Sequence, residues 1–215
     1  MSSTPNTGGD TVIGIFVGGR GRRLGGIDKG QLITDSGQTI LSRLVEVASS
    51  VAPAAVLMLI GDSPSEAGVL QHLPDDPPNR GPLGGLSALL LHARTLKRRA
   101  VALASDLPGV SPALLGRLLR ESPEAGLLAP RLDGIFQPFF ARYEPEAILP
   151  LVEQVLASSR ASLLGVFERA EVTELSLDEG EQAALRDWDE PADLPAHLRG
   201  QLPSPSNGGT SRSNG

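Results

Sequence analysis

Three short runs constrain this chain most: residues 11–17 (TVIGIFV), 54–61 (AAVLMLIG) and 99–105 (RAVALAS). They are apolar nearly from end to end, too short for globular helices, and they read as strands buried on both faces. Helical patterns separate them. Residues 38–51 set Ile40, Leu41, Leu44, Val47 and Val51 on one face, 84–96 form a Leu-rich helix, and 112–121 begin at Ser111-Pro112. Fully buried strands alternating with helices require a mostly parallel sheet covered on both sides, an α/β architecture in three layers. Residues 125–130 and 136–143 are further strand candidates, the second weakened by Pro138. Helices are expected over 145–157, 161–169 and 191–199, and a half-exposed strand over 171–177. Residues 1–10 and 201–215 are polar and rich in Gly, Ser and Pro, so they are expected to be disordered tails around a single domain at 11–200.

In an open α/β sheet, ligands bind beyond the carboxyl ends of the strands. The segments after residues 17, 61 and 105 are therefore where chemistry is expected. The first of them, residues 18–30 (GGRGRRLGGIDKG), packs six glycines and four cations into thirteen positions. The formal charge of the whole chain is −6, which argues against a general nucleic-acid binder and makes this basic cluster stand out. Glycine lets backbone come close to a ligand, and consecutive N–H groups form an anion-binding concavity. Holding Arg20, Arg22, Arg23 and Lys29 together is unfavourable unless an anion arrives, and a polyphosphate fits. The dinucleotide fingerprint fails because Leu24 stands where glycine is required, and the Walker loop fails because Lys29 is followed by Gly30.

Asp106 follows the third strand and precedes Leu107-Pro108. A carboxylate there suits Mg²⁺, which prefers oxygen ligands and bound phosphates, and it equally suits a turn or a helix cap. Residues 75–90 (DDPPNRGPLGGLSALL) open a helix from a Gly/Pro-rich loop. Its free N–H groups favour an anion, and Asp75 or Asp76 could accept from a sugar or base. The chain has no cysteine, which excludes disulfides and thiol catalysis. It has no apolar run of membrane-spanning length and no basic-then-apolar leader at its start, so a cytoplasmic protein without membrane contact is expected. Lys97-Arg98-Arg99 reads as a complement to a helix dipole, Trp188 as packing or stacking, and the three histidines carry no ligand-like spacing.

As an ordered set, GGRGRRLGGIDKG, DDPPNRGPLGGLSALL, the SDLP at 105–108 and the DEPADL at 189–194 resemble the molybdenum cofactor guanylyltransferase family, over roughly residues 11–199. The resemblance implies a Rossmann-like nucleotidyltransferase fold, GTP and Mg²⁺ as substrate and cofactor, and transfer of GMP to the terminal phosphate of molybdopterin with release of pyrophosphate. It implies that Val17, Gly18 and Gly19 bring backbone to the nucleotide, that Arg23 and Lys29 contact its phosphates, and that Gly61, Asp75 and Gly81 line the nucleoside side. It implies Asp106 as the metal ligand. Gln137, Asp187 and Asp189 fall at acceptor-side positions, and Arg160 and Arg169 flank a helix there. Molybdenum enzymes or cofactor-delivery proteins are candidate partners.

The sequence departs from the family pattern in three places. Gly61 stands where many relatives have asparagine, Asp187 and Asp189 replace two asparagines, and Val17 replaces alanine. Other readings therefore stay open: a cytidylyltransferase for the same cofactor, a cobinamide-phosphate or sugar-phosphate nucleotidylyltransferase, or a non-catalytic nucleotide- or cofactor-binding partner. In the catalytic reading no general base is needed, because an acceptor phosphate is already anionic at neutral pH. Catalysis is then positioning and charge neutralisation.

Overall fold

The computed structural model describes residues 10–17, 29–34, 37–61 and 70–186. The three apolar runs become β1 (Thr11–Phe16), β2 (Val56–Ile60) and β4 (Arg99–Ala104). Strand β3 (Gln71–Leu73) joins them on one side. On the other lie β5 (Leu127–Ala129), β8 (Phe140–Tyr143) and β9 (Thr173–Glu174). Their order across the seven-stranded sheet is β3-β2-β1-β4-β8-β5-β9. Only β8 runs against its neighbours β4 and β5, so the sheet is mostly parallel.

Alternate residues of the central strands feed two separate cores. Ile13, Ile15, Leu59, Val101 and Leu103 pack with Leu41, Leu44, Leu114 and Leu118, from α1 (Ile40–Val51) and α3 (Pro112–Arg120). Val12, Met58, Ile60, Ala100 and Ala102 pack on the other face with Leu86, Leu89, Leu149 and Val152, from α2 (Pro82–Thr95) and α4 (Pro145–Leu156). Three layers result, as the alternation of the sequence required. The helices start where their caps dictate: the hydroxyls of Thr39 and Ser111 accept from Ser42 N and Leu114 N.

Four expectations change. Residues 136–143 are not one strand. Residues 135–136 form β7, which pairs in a small hairpin with β6 (Arg131–Leu132), and pairing resumes only at β8. Pro138 has no N–H to give a ladder, and the chain turns around it. The hairpin tip is Asp133-Gly134, both at positive φ. Residues 171–177 pair with the sheet only over 173–174. The helix expected over 161–169 is the shorter α5 (Leu163–Phe167). A helix that periodicity did not reveal, α6 (Glu179–Ala184), is set by an Asp178/Glu181 capping box and tied to α3 through Arg117, which bonds Glu181, Glu121 and the Ser176 carbonyl. The expected tails and the helix at 191–199 lie outside the described residues.

Arg142 was also not anticipated. It is 1% exposed in the middle of β8, where its guanidinium donates to the carbonyls of Leu118, Leu119 and Ser122 at the end of α3. Burial pulls its pKa down to about 10, helped by the Arg99 charge and opposed by Glu144, so it remains a cation at neutral pH. A fixed positive charge at a helix C-terminus satisfies carbonyls the helix cannot.

Candidate functional site

Parallel pairing carries β1, β2 and β4 to a common edge. Phe16 lies opposite both Ile60 and Ala104. One residue further on, Val17 N donates to the Ile60 carbonyl at 2.9 Å and Ser105 N to the Phe16 carbonyl at 3.0 Å. The three chain exits, after Val17, Gly61 and Ser105, are thus held side by side. Gly18, Gly19 and Arg23 lie outside the described residues. Lys29 opens a 3₁₀ turn, Lys29–Gln31, whose next residue Leu32 is 2% exposed and accepts from Ile40 N at 3.0 Å. The end of the first loop is therefore anchored to the start of α1.

Gly61 has φ +126°, and a Cβ there would lie 2.5 Å from the Val17 carbonyl oxygen. A side chain at 61 would strike backbone in a conformation that L-residues rarely adopt, so the missing asparagine of the family pattern is matched by a close approach of the two exits.

The start of α2 comes to the same edge. Gly81 is its N-cap, with φ +55° and no side-chain cap. In its first turns, a Cβ on Gly84 would lie 2.5 Å from the Pro77 carbonyl, and Asp76 N donates to the Gly84 carbonyl at 3.1 Å. A Cβ on Gly85 would come within 2.8 Å of Phe16 Cε1, 3.0 Å of Ile60 Cγ2 and 3.1 Å of Asp75 Oδ1. Two consecutive glycines thus let residues 75–77 lie on the helix and bring the half-buried Asp75 against the ends of β1 and β2. Helix N-terminus, acid and strand ends converge here.

Asp106 is half-buried in the turn after β4, and Leu107 behind it enters the core. Gly109 seats this turn against α6, where a Cβ would lie 2.5 Å from Ala184 backbone. Among the described residues no three His, Asp or Glu side chains group as a metal site. A single carboxylate completed by phosphate oxygens and water is the donor set Mg²⁺ commonly takes, so Asp106 fits that ion with a nucleotide bound and not as a resident protein-only site.

Gln137 sits beyond the end of β4 because β8 is antiparallel: Phe140 pairs Leu103, and the Phe139 carbonyl accepts from Ala104 N at 2.9 Å. Its amide N donates to the Pro130 carbonyl and its side-chain Nε2 to the Ile135 carbonyl, each at 3.0 Å. Arg160 is exposed in the turn between α4 and α5, and Arg169 donates to the Gly165 carbonyl, a local role. Asp187 and Asp189 lie outside the described residues. Of the nominated residues that the structure describes, Val17, Gly61, Asp75, Gly81, Asp106 and Gln137 gather at one edge. The residues that sequence reasoning missed are Gly84 and Gly85 as spacers and Tyr143, whose hydroxyl donates to the Pro138 carbonyl at 2.7 Å.

An open sheet whose chain exits, a helix N-terminus and the carboxylates of Asp75 and Asp106 gather at the carboxyl edge has the ligand-binding layout of an α/β protein, and the likenesses that follow make the class a nucleotidyltransferase. Residues 13–175 match the family described as the MobA-like NTP transferase domain. The molybdenum cofactor guanylyltransferase of Pseudomonas putida is 31% identical over 171 residues, covering 78% of this chain and 87% of that protein. A probable molybdenum cofactor guanylyltransferase of Methanosarcina mazei is 29% identical over 177 residues, 77% of each chain. The crystal structure of molybdopterin-guanine dinucleotide biosynthesis protein A from Archaeoglobus fulgidus superposes with a TM-score of 0.65 at 22% identity, covering 84% of this chain and 93% of that one. A 4-diphosphocytidyl-2C-methyl-D-erythritol synthase from Anaerococcus prevotii shares the fold at a TM-score of 0.64 and 11% identity, covering 90% and 98%. The chain belongs to the MobA-like NTP transferase family. Among the described residues, no helix is long and apolar enough to cross a membrane.

Proposed function

We propose that this nucleotidyltransferase moves GMP from Mg-GTP onto the terminal phosphate of molybdopterin and releases pyrophosphate. The observation that carries the reading is the convergence of Asp75, the α2 N-terminus and Asp106 on the strand ends from which the cationic first loop starts after Val17. Lys29 and Arg23 neutralise the triphosphate. The N-terminal N–H groups of α2 face the same region and favour negative charge. Asp75 accepts from the nucleoside. Asp106 would hold Mg²⁺, which supplies charge stabilisation on the phosphate oxygens. Gln137 borders the acceptor. The acceptor phosphate attacks the α-phosphorus, and the bond to pyrophosphate breaks, with no proton to remove.

The test is transfer from α-³²P-labelled GTP, beside CTP and ATP, to molybdopterin with Mg²⁺. Label in the pterin with GTP preferred bears the reading out. Preference for CTP moves the chain to the cytidylyl reading, for which Gly61 in place of asparagine is the reason to include it. Tight Mg-GTP binding without transfer overturns the acceptor and points to another acceptor or a binding protein.

A further inference from the structure

The chain has five phenylalanines, one tyrosine and one tryptophan, in a core otherwise built of Leu, Val, Ile and Ala. Four of these seven aromatics, Phe136, Phe139, Phe140 and Tyr143, fall within eight consecutive residues. Two more touch that segment. Phe16, the last residue of β1, packs on Phe139 with ring centroids 4.7 Å apart. Phe167, from α5, packs on Phe136 at 5.6 Å and edge-on to Tyr143 at 6.4 Å. Arg131 covers the outer face of Phe136 at 3.9 Å. The seventh, Trp188, lies outside the described residues.

What this frame encloses is the turn 137–139. Gln137 N and the Phe139 carbonyl are tied by backbone bonds to Pro130 and Ala104, while Pro138 between them has no N–H and offers only its carbonyl. The fully buried Tyr143 reaches back five residues to bond the Pro138 carbonyl. The Phe139 carbonyl then takes the Ala104 amide, two residues before Asp106, while its ring takes Phe16, one residue before Val17. The hydroxyl therefore holds the middle of a segment that spans the ends of β1 and β4 and is tied at its two ends by backbone bonds.

We propose that Tyr143 is a positioning residue for the acceptor: its hydroxyl fixes the backbone of Gln137–Phe139 as the wall against which the acceptor is seated beside Asp106. The inference rests on the transferase reading for its kinetic arm. Tyr143→Phe keeps the ring and its packing and removes only the bond to Pro138.

The expected result is a KM for molybdopterin raised about tenfold, with KM for GTP changed less than about twofold and kcat held within about twofold at saturating acceptor. A merely structural role would lower activity without separating the two substrates. Equal changes in both KM values, or none, overturn the proposal. Should Tyr143→Phe fold too poorly to assay, Phe139→Leu, which removes the stack on Phe16, must give the same split, and its absence overturns the proposal as well. Amide hydrogen exchange on the wild-type and variant chains gives a readout free of any substrate. Faster exchange confined to Ala104, Gln137 and Phe140, with Val12 and Ile13 unchanged, supports the pin. Unchanged exchange at those three amides overturns it. If the wild-type chain transfers nothing to molybdopterin, the function reading fails, and the exchange data still decide whether Tyr143 holds the turn.

Discussion

The two sides of the edge are built by opposite means. On the side proposed for the nucleotide, β1, β2 and the start of α2 are brought together by removing side chains. Gly61 lets two chain exits touch, and Gly84 and Gly85 let the Asp75 segment lie on a helix. On the side proposed for the acceptor, the turn 137–139 is held by adding side chains, with the aromatics of the described chain concentrated there. The difference follows from what each must do. A phosphate is recognised by backbone N–H groups, which only close backbone approach can present. A turn interrupted by proline has few backbone bonds to spare and needs large, stiff side chains to keep one shape.

If the nucleotide side works by charge on a side-chain-poor frame, its cation should matter most. Lys29→Ala should reduce turnover by on the order of 10²–10³, the usual effect of removing one preorganised charge, with thermal stability close to wild type. Near-wild-type turnover would remove Lys29 from the site. Gly61→Ala breaks the same side through the backbone. Its Cβ meets the Val17 carbonyl at 2.5 Å at a φ of +126°, so a loss of about 1–3 kcal/mol is expected in denaturant unfolding, together with weaker GTP binding. An Ala variant as stable as wild type would show that the two exits have room to part.

This asymmetry also decides what was legible in the sequence. The three layers were readable because Val12, Ile13 and Ile15 or Val101 and Leu103 sit in runs that only a doubly covered strand accommodates. On the side proposed for the nucleotide, position after a strand pointed to the segments after residues 17, 61 and 105 and so to Asp106, and a Gly/Pro-rich helix start pointed to Asp75 and Gly81, whereas Gly61 was nominated by the family resemblance. The acceptor side was harder. Its frame joins Phe16, Phe139, Tyr143 and Phe167, which are far apart in the chain, and no short-range period reveals such contacts. The concentration of aromatics at 136–143 was the one available signal. Arg142 was illegible for a related reason: a charge in the middle of a strand looks like a solvent-facing position, and only the path of α3 across β8 places carbonyls over it.

A smaller effect sharpens the role of the paired glycines. Gly85→Ala should gain up to about 1 kcal/mol of helix propensity and lose about 1–3 kcal/mol to overpacking at the 2.8 Å and 3.0 Å contacts with Phe16 and the buried Ile60. Net stability should therefore fall by about 1 kcal/mol. The Asp75 carboxylate, 3.1 Å from the new methyl, is the far end of a flexible side chain and can swing aside. GTP affinity should fall severalfold, and because the displaced Phe16 ring stacks on Phe139, KM for molybdopterin should rise with it, by less than in Tyr143→Phe. A variant that lost stability and kept its affinity would make Gly85 a packing residue only.

The smallest expected effect is a silence on the aromatic side. Burial raises the pKa of Tyr143 well above the ordinary phenol value of 10. The folded chain keeps the proton that the unfolded chain releases above about pH 10, so this group's contribution to stability is fully present below that pH and falls as pH rises beyond it. Between about pH 6 and 9 the hydroxyl remains a donor to Pro138, and neither stability nor acceptor KM should carry a limb from Tyr143. Tyr143 is the chain's single tyrosine, so phenolate absorbance reports it alone. In an alkaline titration the phenolate signal should appear only together with loss of the folded circular dichroism signal. Ionisation near pH 10 in a chain still folded would mean that the hydroxyl reaches water, and the rigid turn contrasted above with the glycine-built side would have to be redrawn as a mobile one.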